Sequence, residues 1–550
     1  MNTIERATAW RNHDPDPHTR DTITALIDAA ETGDQGAYEE LESRFSGPLM
    51  FGTAGLRGEV GAGESRMNRA VVIRATAGVV SWLNTKVDTP VVVIGCDARY
   101  GSADFYRDAA EVISGASGRA LLLPPQLPTP VTAFAVRAFG ADAGIMITAS
   151  HNPPADNGYK LYLGGRVAPG DGNGVQLVSP ADAEITEHIT AAPPADQVPR
   201  TSTNVEHVDI LDQYIHCAGT RGDARPLNIV LTPMHGVGGS VAVQALAAAG
   251  FHTVDVVKQQ ADPDPDFPTV SFPNPEEPGA LDLAIELAKE RNADVILALD
   301  PDADRCAVAI PTPTGWRQLS GDETGALLGE YIAKRTQVAG NTGTMANSIV
   351  SSRLLSRIAH AHDLNHEPTL TGFKWIARTP GLIFGYEEAI GYCTDPEFVR
   401  DKDGITAAVT MASLVANLLA QGRTVQDALD DLAKQHGLHA TSPLTFRVEN
   451  LDLIATGMAN LRAHPPRELA GSPVIEFADL AEGYQGLPAT DGVLLRTEQD
   501  DRIIVRPSGT EPKLKCYLEV VLPVVKEIPH DDAAERLAML KNDIAAAIGI

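Results

Sequence analysis

The apolar residues of this chain gather in short unbroken runs, separated by polar turns rich in Gly and Pro. The runs at 91–95, 120–123 and 144–148 read as strands buried on both faces, because none is long enough for a core helix. Helical patterns alternate with them. Ser102 reads as the cap of one that continues to about residue 113, and another follows Pro130. A strand–helix–strand–helix–strand order predicts parallel strands joined by right-handed crossovers. A loop at 191–203 and a helical segment at 211–216 end this stretch. The rhythm then returns. A strand at 228–232 leads into the Gly-rich turn 235–240, a helix at 241–249 that Gly250 stops, and a strand at 253–257. Residues 261–279 are dense in Pro and Asp and predict no regular structure. An amphipathic helix at 281–291 and a buried strand at 294–299 follow.

A third round begins near Gly340, with a loop at 371–374, a strand at 382–386 and a helix at 405–420 ended by Gly422. Thr424 and Asp427 form a capping box for the next helix, which Gly437 ends. From 441 the pattern changes. Strands at 493–497 and 502–505 flank a polar turn, a third begins at Leu514, and a helix from about Asp532 follows. Neighbouring strands with tight turns predict an antiparallel sheet. The domains expected are 1–225 with an N-terminal extension, 226–339, 340–440 and 441–550. A chain of 550 residues is too long for one core, in keeping with this division.

Composition narrows the partners. A formal net charge of −28 argues against nucleic acid and against an anionic membrane. Apolar content of 43% and charged content of 21% are ordinary for a globular protein. The first residues lack the apolar core of a signal peptide, and no run approaches the ~18 apolar residues of a membrane span, so a cytoplasmic enzyme is expected. Cys96, Cys217, Cys306, Cys393 and Cys516 are scattered without a CxxC pair, as reduced thiols would be. An anionic substrate would need local basic groups. Arg57 with Arg66, Arg69 and Arg74, and Arg506 with Lys513 and Lys515, are candidates, although such spacing also suits solvated faces.

Chemistry concentrates where predicted strands end. The strand at 144–148 runs into TASHNPPADN (148–157) and then Gly158-Tyr159-Lys160. The carboxyl end of a strand is where open α/β sheets bind ligands. Ser150 offers a hydroxyl nucleophile there, with His151 beside it and Lys160 a short loop away as proton-transfer groups. In isolation such a stretch is more often a plain turn. The strand at 294–299 ends in DPDADR (300–305). Asp300, Asp302 and Asp304 would repel one another without a cation, and a hard divalent ion fits. Mg²⁺ is favoured if a phosphoryl group completes its shell, Ca²⁺ is the rival, and an acidic surface turn is the bland alternative. Arg305 suits a phosphate beside the ion. RPSGT (506–510) offers a guanidinium, two hydroxyls and a Gly backbone, which make either a phosphate cradle or a β-turn. Glu387 and Glu388 follow the strand at 382–386 and would accept from sugar hydroxyls or merely face water. The Gly-rich run 236–239 is not a P-loop, since GxxxxGK[ST] is absent. Together these groups fit phosphoryl transfer with a polyhydroxy substrate held in a central cleft.

The motifs, in this order, resemble those of the α-D-phosphohexomutase family, which includes phosphoglucomutases and phosphomannomutases. FGTAGLRG (51–58) resembles its N-terminal substrate loop, TASHNPPADNGYK its phosphoserine loop and DPDADR its metal loop. EEAIG (387–391) resembles its sugar loop and RPSGTEPK (506–513) its phosphate loop. The resemblance runs from Phe51 to about Lys515. It implies an α/β fold of three similar mixed-sheet domains plus a smaller C-terminal α+β domain in a heart-shaped arrangement. It implies that Ser150 is phosphorylated and donates the phosphoryl group, and that its phosphate with Asp300, Asp302 and Asp304 holds Mg²⁺. Arg57 and Lys160 would lie beside the transferring phosphate, Lys160 as acid/base candidate, with His151 flanking the nucleophile. Arg305 and Lys374 would contact substrate and Glu388 would bind sugar hydroxyls. Arg506, Ser508, Gly509 and Thr510 would hold the non-reacting phosphate. One departure bears on sugar preference: many relatives carry Ser where this chain has Ile390. FGTAGLRG with EEAIG is closer to the long phosphoglucomutase/phosphopentomutase-type branch.

The function expected is interconversion of hexose 1-phosphate and hexose 6-phosphate, of glucose or mannose. It would run through phosphoserine and a hexose 1,6-bisphosphate that also acts as activator. A phosphopentomutase or a hexose-bisphosphate synthase is the alternative within the class. A metal-dependent sugar phosphatase and a non-catalytic sugar-phosphate binder are alternatives outside it. The expected partner is a small sugar phosphate, with no nucleic acid or membrane, and the chain as monomer or homodimer.

Overall fold

The computed structural model describes residues 1–52, 55–220, 222–223, 225–448, 450–508 and 513–549. The chain forms two compact units, Met1–Gln318 with Gly391–Asn417, and Leu319–Ile390 with Leu418–Ile550.

In the first unit three helices, Thr3–His13, Pro17–Glu31 and Gln35–Arg44, precede any strand. Asn2, Asp16 and Asp34 cap them through side-chain oxygens, and Ala7, Ile23, Ile27, Leu41, Phe45 and Ala62 close a small core. A seven-stranded mixed sheet follows. Its parallel middle is Val91–Cys96 between Arg119–Leu122 and Ala143–Ile147. Asp156–Leu163 turns back antiparallel beside Ala143–Ile147, and Leu56–Glu59 runs antiparallel on its far side. The helices Ser102–Gly115 and Thr129–Ala138 pack on the sheet, and Arg69–Asn84 packs on the first of these. Ser102 is not the cap of its helix. Gly101 (φ 81°) takes that position, and the Ser102 hydroxyl donates to Asp97 Oδ1 at 2.6 Å.

The second sheet has Val295–Leu299, Ile229–Thr232 and Val254–Val256 parallel, extended antiparallel by Cys306–Thr312 and Gly315–Gln318. Every residue of Val295–Leu299 is buried, so the strand delivers Asp300 into the protein interior instead of to solvent. Cys96, Cys306, Cys393 and Cys516 are buried, and Cys217 is partly exposed.

In the second unit Thr344–Ser348 lies parallel between Asn365–Thr369 and Leu382–Glu387. The helix Gly321–Val338, opened by a Ser320/Glu323 capping box, packs on Leu382–Glu387, so this segment begins ahead of the helix and not after it at Gly340. Gly321, Gly325 and Gly329 lie along the contact. A Cβ at Gly321 or Gly325 would meet the Glu388 carbonyl oxygen at 1.9 Å or the Tyr386 ring at 2.6 Å, and one at Gly329 would meet Phe384 at 3.3 Å and, at 2.6 Å, Leu355 of the helix Leu354–Ala361. Only the absence of a side chain lets helix and strand approach so closely. The last sheet is antiparallel throughout, in the order Leu438–Arg447, Lys513–Leu522, Arg502–Pro507, Val493–Thr497, Ser472–Asp479, Glu468–Leu469. The helices Leu451–Ala463 and His530–Ile548 share its core. Among the described residues no single helix is long and apolar enough to cross a membrane.

Candidate active site

Ala143–Ile147 ends in a turn through Ser150, whose backbone is left-handed (φ 53°). For a residue with a Cβ that conformation costs about 1–3 kcal/mol and needs support. Arg99 supplies it. Its guanidinium donates to the carbonyls of Ser150 (2.7 Å), Asn152 (2.7 Å), Pro153 (2.7 Å) and Asp156 (3.0 Å). Arg99 is buried, and Asp97, 3.6 Å away, compensates its charge. The Ser150 amide donates to Thr148 Oγ1 at 2.9 Å. The loop is therefore rigid where the nucleophile stands.

The Ser150 hydroxyl donates to Asp300 Oδ2 at 2.8 Å and lies 3.1 Å from His151 Nδ1. Asp300, Asp302 and Asp304 are fully buried, each with an oxygen within 4.8 Å of the others. Asp302 Oδ2 accepts from Thr129 Oγ1 at 2.6 Å and from Lys160 Nζ at 2.7 Å. Asp304 Oδ2 accepts from Lys160 Nζ at 2.8 Å, with Lys402 Nζ 3.4 Å away. Among the described residues the remaining oxygens, Asp302 Oδ1 and Asp304 Oδ1, are buried and accept no hydrogen bond. Buried carboxylate oxygens without donors are unsatisfied in the protein alone, and a hard divalent cation satisfies that chemistry.

The charges around the triad follow from burial and pairing. Burial, with Asp302 and Asp304 nearby, pushes Asp300 well above the usual carboxylate range. Burial opposes ionisation of Asp304 too, but Lys160, Lys402 and Arg305 hold it below that range. Lys160 is buried, yet Asp302 and Asp304 raise its affinity for the proton and keep it charged. His151 goes the other way: burial, then Arg305 and Arg57, hold it well below the ordinary imidazole value and therefore neutral.

Lys160, a short loop beyond Ser150, stands on the strand Asp156–Leu163 opposite Met146. Arg57, on Leu56–Glu59, donates to Asn152 Oδ1 at 3.2 Å. The basic cluster expected around it does not converge. Arg66 lies 3.2 Å from Glu59, Arg69 binds Asp108 at 2.7 Å and Arg74 donates to the Ala192 carbonyl at 3.4 Å. The Arg305 amide donates to Asp300 Oδ1 at 3.0 Å, and its Nε is 3.7 Å from Asp304. Sequence reasoning missed Arg99, Thr129 and Lys402. Lys402 had a usable signal: RDKDG (400–404) precedes the apolar helix Gly404–Ala420, and Asp403 accepts from the Ile405 and Thr406 amides at 3.0 Å.

The second unit holds the other predicted residues. Lys374 lies on the short helix Phe373–Ile376, entered through Gly372 (φ 110°). Glu388 follows Leu382–Glu387 and is bound by Ser348 and Ser351. Ile390 is buried with φ 53°. Arg506 sits on Arg502–Pro507 opposite Lys515, with Nε buried, and the Ser508 amide donates to the Lys513 carbonyl at 2.8 Å. Gly509 and Thr510 lie outside the described residues.

Phosphoglucomutase/phosphomannomutase alpha/beta/alpha domains I, II and III match residues 48–195, 206–315 and 320–436, and the C-terminal domain matches 467–526. This chain belongs to the phosphoglucomutase/phosphomannomutase family. Members of the phosphoglucomutase/phosphomannomutase family are isomerases that act as phosphotransferases, and the chain is an enzyme of that kind. A probable phosphomannomutase of Haemophilus influenzae is 47% identical over 82% of this chain and 93% of its own. The phosphopentomutase of Homo sapiens is 33% identical over 99% of this chain and 95% of its own. A phosphoglucomutase of Staphylococcus aureus is 32% identical over 92% of this chain and 94% of its own. Among solved structures, a phosphoglucomutase/phosphomannomutase family protein from Burkholderia thailandensis shares the fold with TM-score 0.69 at 20% identity, covering 91% of this chain and 98% of that one. Paramecium parafusin, a phosphoglucomutase, does so with TM-score 0.69 at 19% identity, covering 91% and 96%.

Proposed function

We propose that this mutase interconverts hexose 1-phosphate and hexose 6-phosphate through phosphorylated Ser150 and a hexose 1,6-bisphosphate. The observation that carries this reading is the Ser150 hydroxyl, 2.8 Å from Asp300 in a buried Asp triad whose Asp302 and Asp304 Oδ1 atoms accept no hydrogen bond among the described residues. In the first half-reaction the bond from phosphorus to Ser150 Oγ breaks as one to a sugar hydroxyl forms, and that hydroxyl loses its proton. In the second, the phosphate at the other end of the sugar returns to Ser150. Neutral His151 stands 3.1 Å from Oγ and can hydrogen-bond to it, and charged Lys160 is suited to balance phosphoryl charge. Arg57 and Arg305 add positive charge at the same place, and Arg99 holds the loop still.

Asp300, Asp302, Asp304 and the Ser150 phosphate would hold Mg²⁺, which supplies charge neutralisation for phosphoryl oxygens when bound. In the second unit Glu388 is suited to accept from sugar hydroxyls, and Arg506 and Ser508, with Gly509 and Thr510, to hold the phosphate that is not reacting. Lys374 adds a cation for substrate. Four buried thiols fit a reducing compartment such as the cytoplasm.

The full-length match to phosphopentomutases favours a second reading, in which the sugar is a pentose. A panel decides: glucose, mannose and ribose 1-phosphates, each with and without glucose 1,6-bisphosphate. Highest kcat/KM on a hexose, dependent on the bisphosphate, is the expected result. Highest kcat/KM on ribose 1-phosphate selects the pentose reading. Release of free phosphate without priming would mean a phosphatase.

A further inference from the structure

Glu388 presents one bound oxygen and one open one. Its Oε2 accepts from Ser348 Oγ at 3.1 Å and from Ser351 Oγ at 3.0 Å, while its amide donates to Ser351 Oγ at 3.0 Å. Among the described residues Oε1 accepts no hydrogen bond. Ser351 Oγ accepts the amide proton and donates its own to the carboxylate, and Ser348 Oγ lies 2.8 Å from it, so the two serines brace each other as well as Glu388. Both serines are buried, so water does not compete for these hydroxyls. The residues after Glu388 offer no hydroxyl of their own, being Ala389 and buried Ile390.

The turn that carries the serines is in turn fixed from the last sheet. Arg502 donates to the carbonyls of Ile349 at 2.8 Å and Ser351 at 2.6 Å. Ser352 Oγ donates to Glu519 Oε1 at 2.8 Å, and Glu519 lies 3.2 Å from Arg502. Arg502 shares the strand Arg502–Pro507 with Arg506, four positions on and on the same face. One strand thus sets the height of the turn beneath Glu388 and carries Arg506.

We propose that Ser348 and Ser351 are positioning residues for sugar recognition. They tie down Oε2 so that Oε1 is aimed at ring hydroxyls, and Arg502 fixes them relative to Arg506. The inference rests on Glu388 being the sugar contact, and the test separates the two. It is a double-mutant cycle on kcat/KM for glucose 1-phosphate, primed with glucose 1,6-bisphosphate, with Ser351→Ala, Glu388→Ala and the pair. Ser351→Ala should lower kcat/KM about ten-fold, chiefly through KM, as loss of a hydrogen bond to a charged group does. In the Glu388→Ala background it should have no further effect. Equal losses in both backgrounds would make Ser351 a packing residue and overturn the proposal. Full activity of Glu388→Ala would remove the sugar contact itself, and the proposal with it. If Ser351→Ala does not fold, Ser348→Ala runs the same cycle with the same outcomes.

Discussion

Ser150 Oγ and Asp300 Oδ2 are joined by a 2.8 Å hydrogen bond across 150 residues of sequence. The bond ties the turn after Ala143–Ile147 to the end of Val295–Leu299, two strands from different sheets. The hydroxyl is therefore aimed before any substrate arrives. Ser150→Ala removes the hydroxyl nucleophile and should lower kcat by roughly 10³-fold or more. Intact-mass and peptide analysis after exposure to glucose 1,6-bisphosphate should place one phosphate on Ser150 in the wild type and none in the variant. A phosphate elsewhere, with an active Ala variant, would falsify the assignment.

Metal dependence follows from the two orphaned oxygens. Chelation should abolish turnover, and Mg²⁺ should restore it. Asp302→Asn keeps the size of the side chain but lowers the charge facing Lys160, so its Mg²⁺ requirement should rise sharply while the far-ultraviolet circular dichroism stays unchanged. Equal Mg²⁺ titrations for wild type and variant would contradict the triad as the cation site.

Arg99 offers a sharper test of rigidity. Its removal frees four carbonyls and leaves Asp97 buried without a counter-charge, which costs about 3–5 kcal/mol. Arg99→Lys retains the charge but cannot span four acceptors. It should keep most of the stability of the wild type and lose about 10²-fold in kcat, because a displaced nucleophile is costly. Thermal melts and kinetics on the same preparations check both halves. A Lys variant with wild-type kcat would show that the loop holds itself.

Asp403 predicts an unusual pH dependence. Burial pushes its carboxyl up to about 6 from 3.8, against the lowering effect of the Thr406 amide, Tyr214 and the Ile405 amide. A raised folded value favours the native state only while the group is protonated. Its contribution is complete below pH 3.8 and is lost as pH rises through about 6, amounting to about 3 kcal/mol. Asparagine can still accept from the two amides and pair with Tyr214. Asp403→Asn should therefore melt above the wild type at pH 7.5 and lose most of that advantage by pH 4.5. A gap that does not change with pH would exclude the mechanism.

The sequence made the strand ends legible because buried strands are short apolar runs that stop abruptly at polar residues. Val295–Leu299 before Asp300 and Ala143–Ile147 before Ser150 needed no tertiary information. The antiparallel last sheet was legible from its tight turns, and the Thr424/Asp427 capping box from two residues. What escaped was mostly long-range. Arg99 works through backbone carbonyls, which have no side-chain signature. The N-terminal helices have a thin apolar stripe and close on a core of six residues, too weak a period to stand out. Gly321, Gly325 and Gly329 did leave a pattern at every fourth position, but its meaning depends on a strand some sixty residues later. The left-handed backbones of Ser150, Ala303 and Ile390 are imposed by their surroundings and cannot be read from residues that ordinarily avoid that region.

Burial of the thiols has a practical consequence for labelling. Burial pushes Cys96, Cys306 and Cys516 up to about 12, and Cys393 well above its ordinary value, so at neutral pH none of the four offers a thiolate to a maleimide. Cys217, on the helix Leu211–Gly219, is the one partly exposed. A fluorophore can therefore be placed at a single position of the unaltered folded chain.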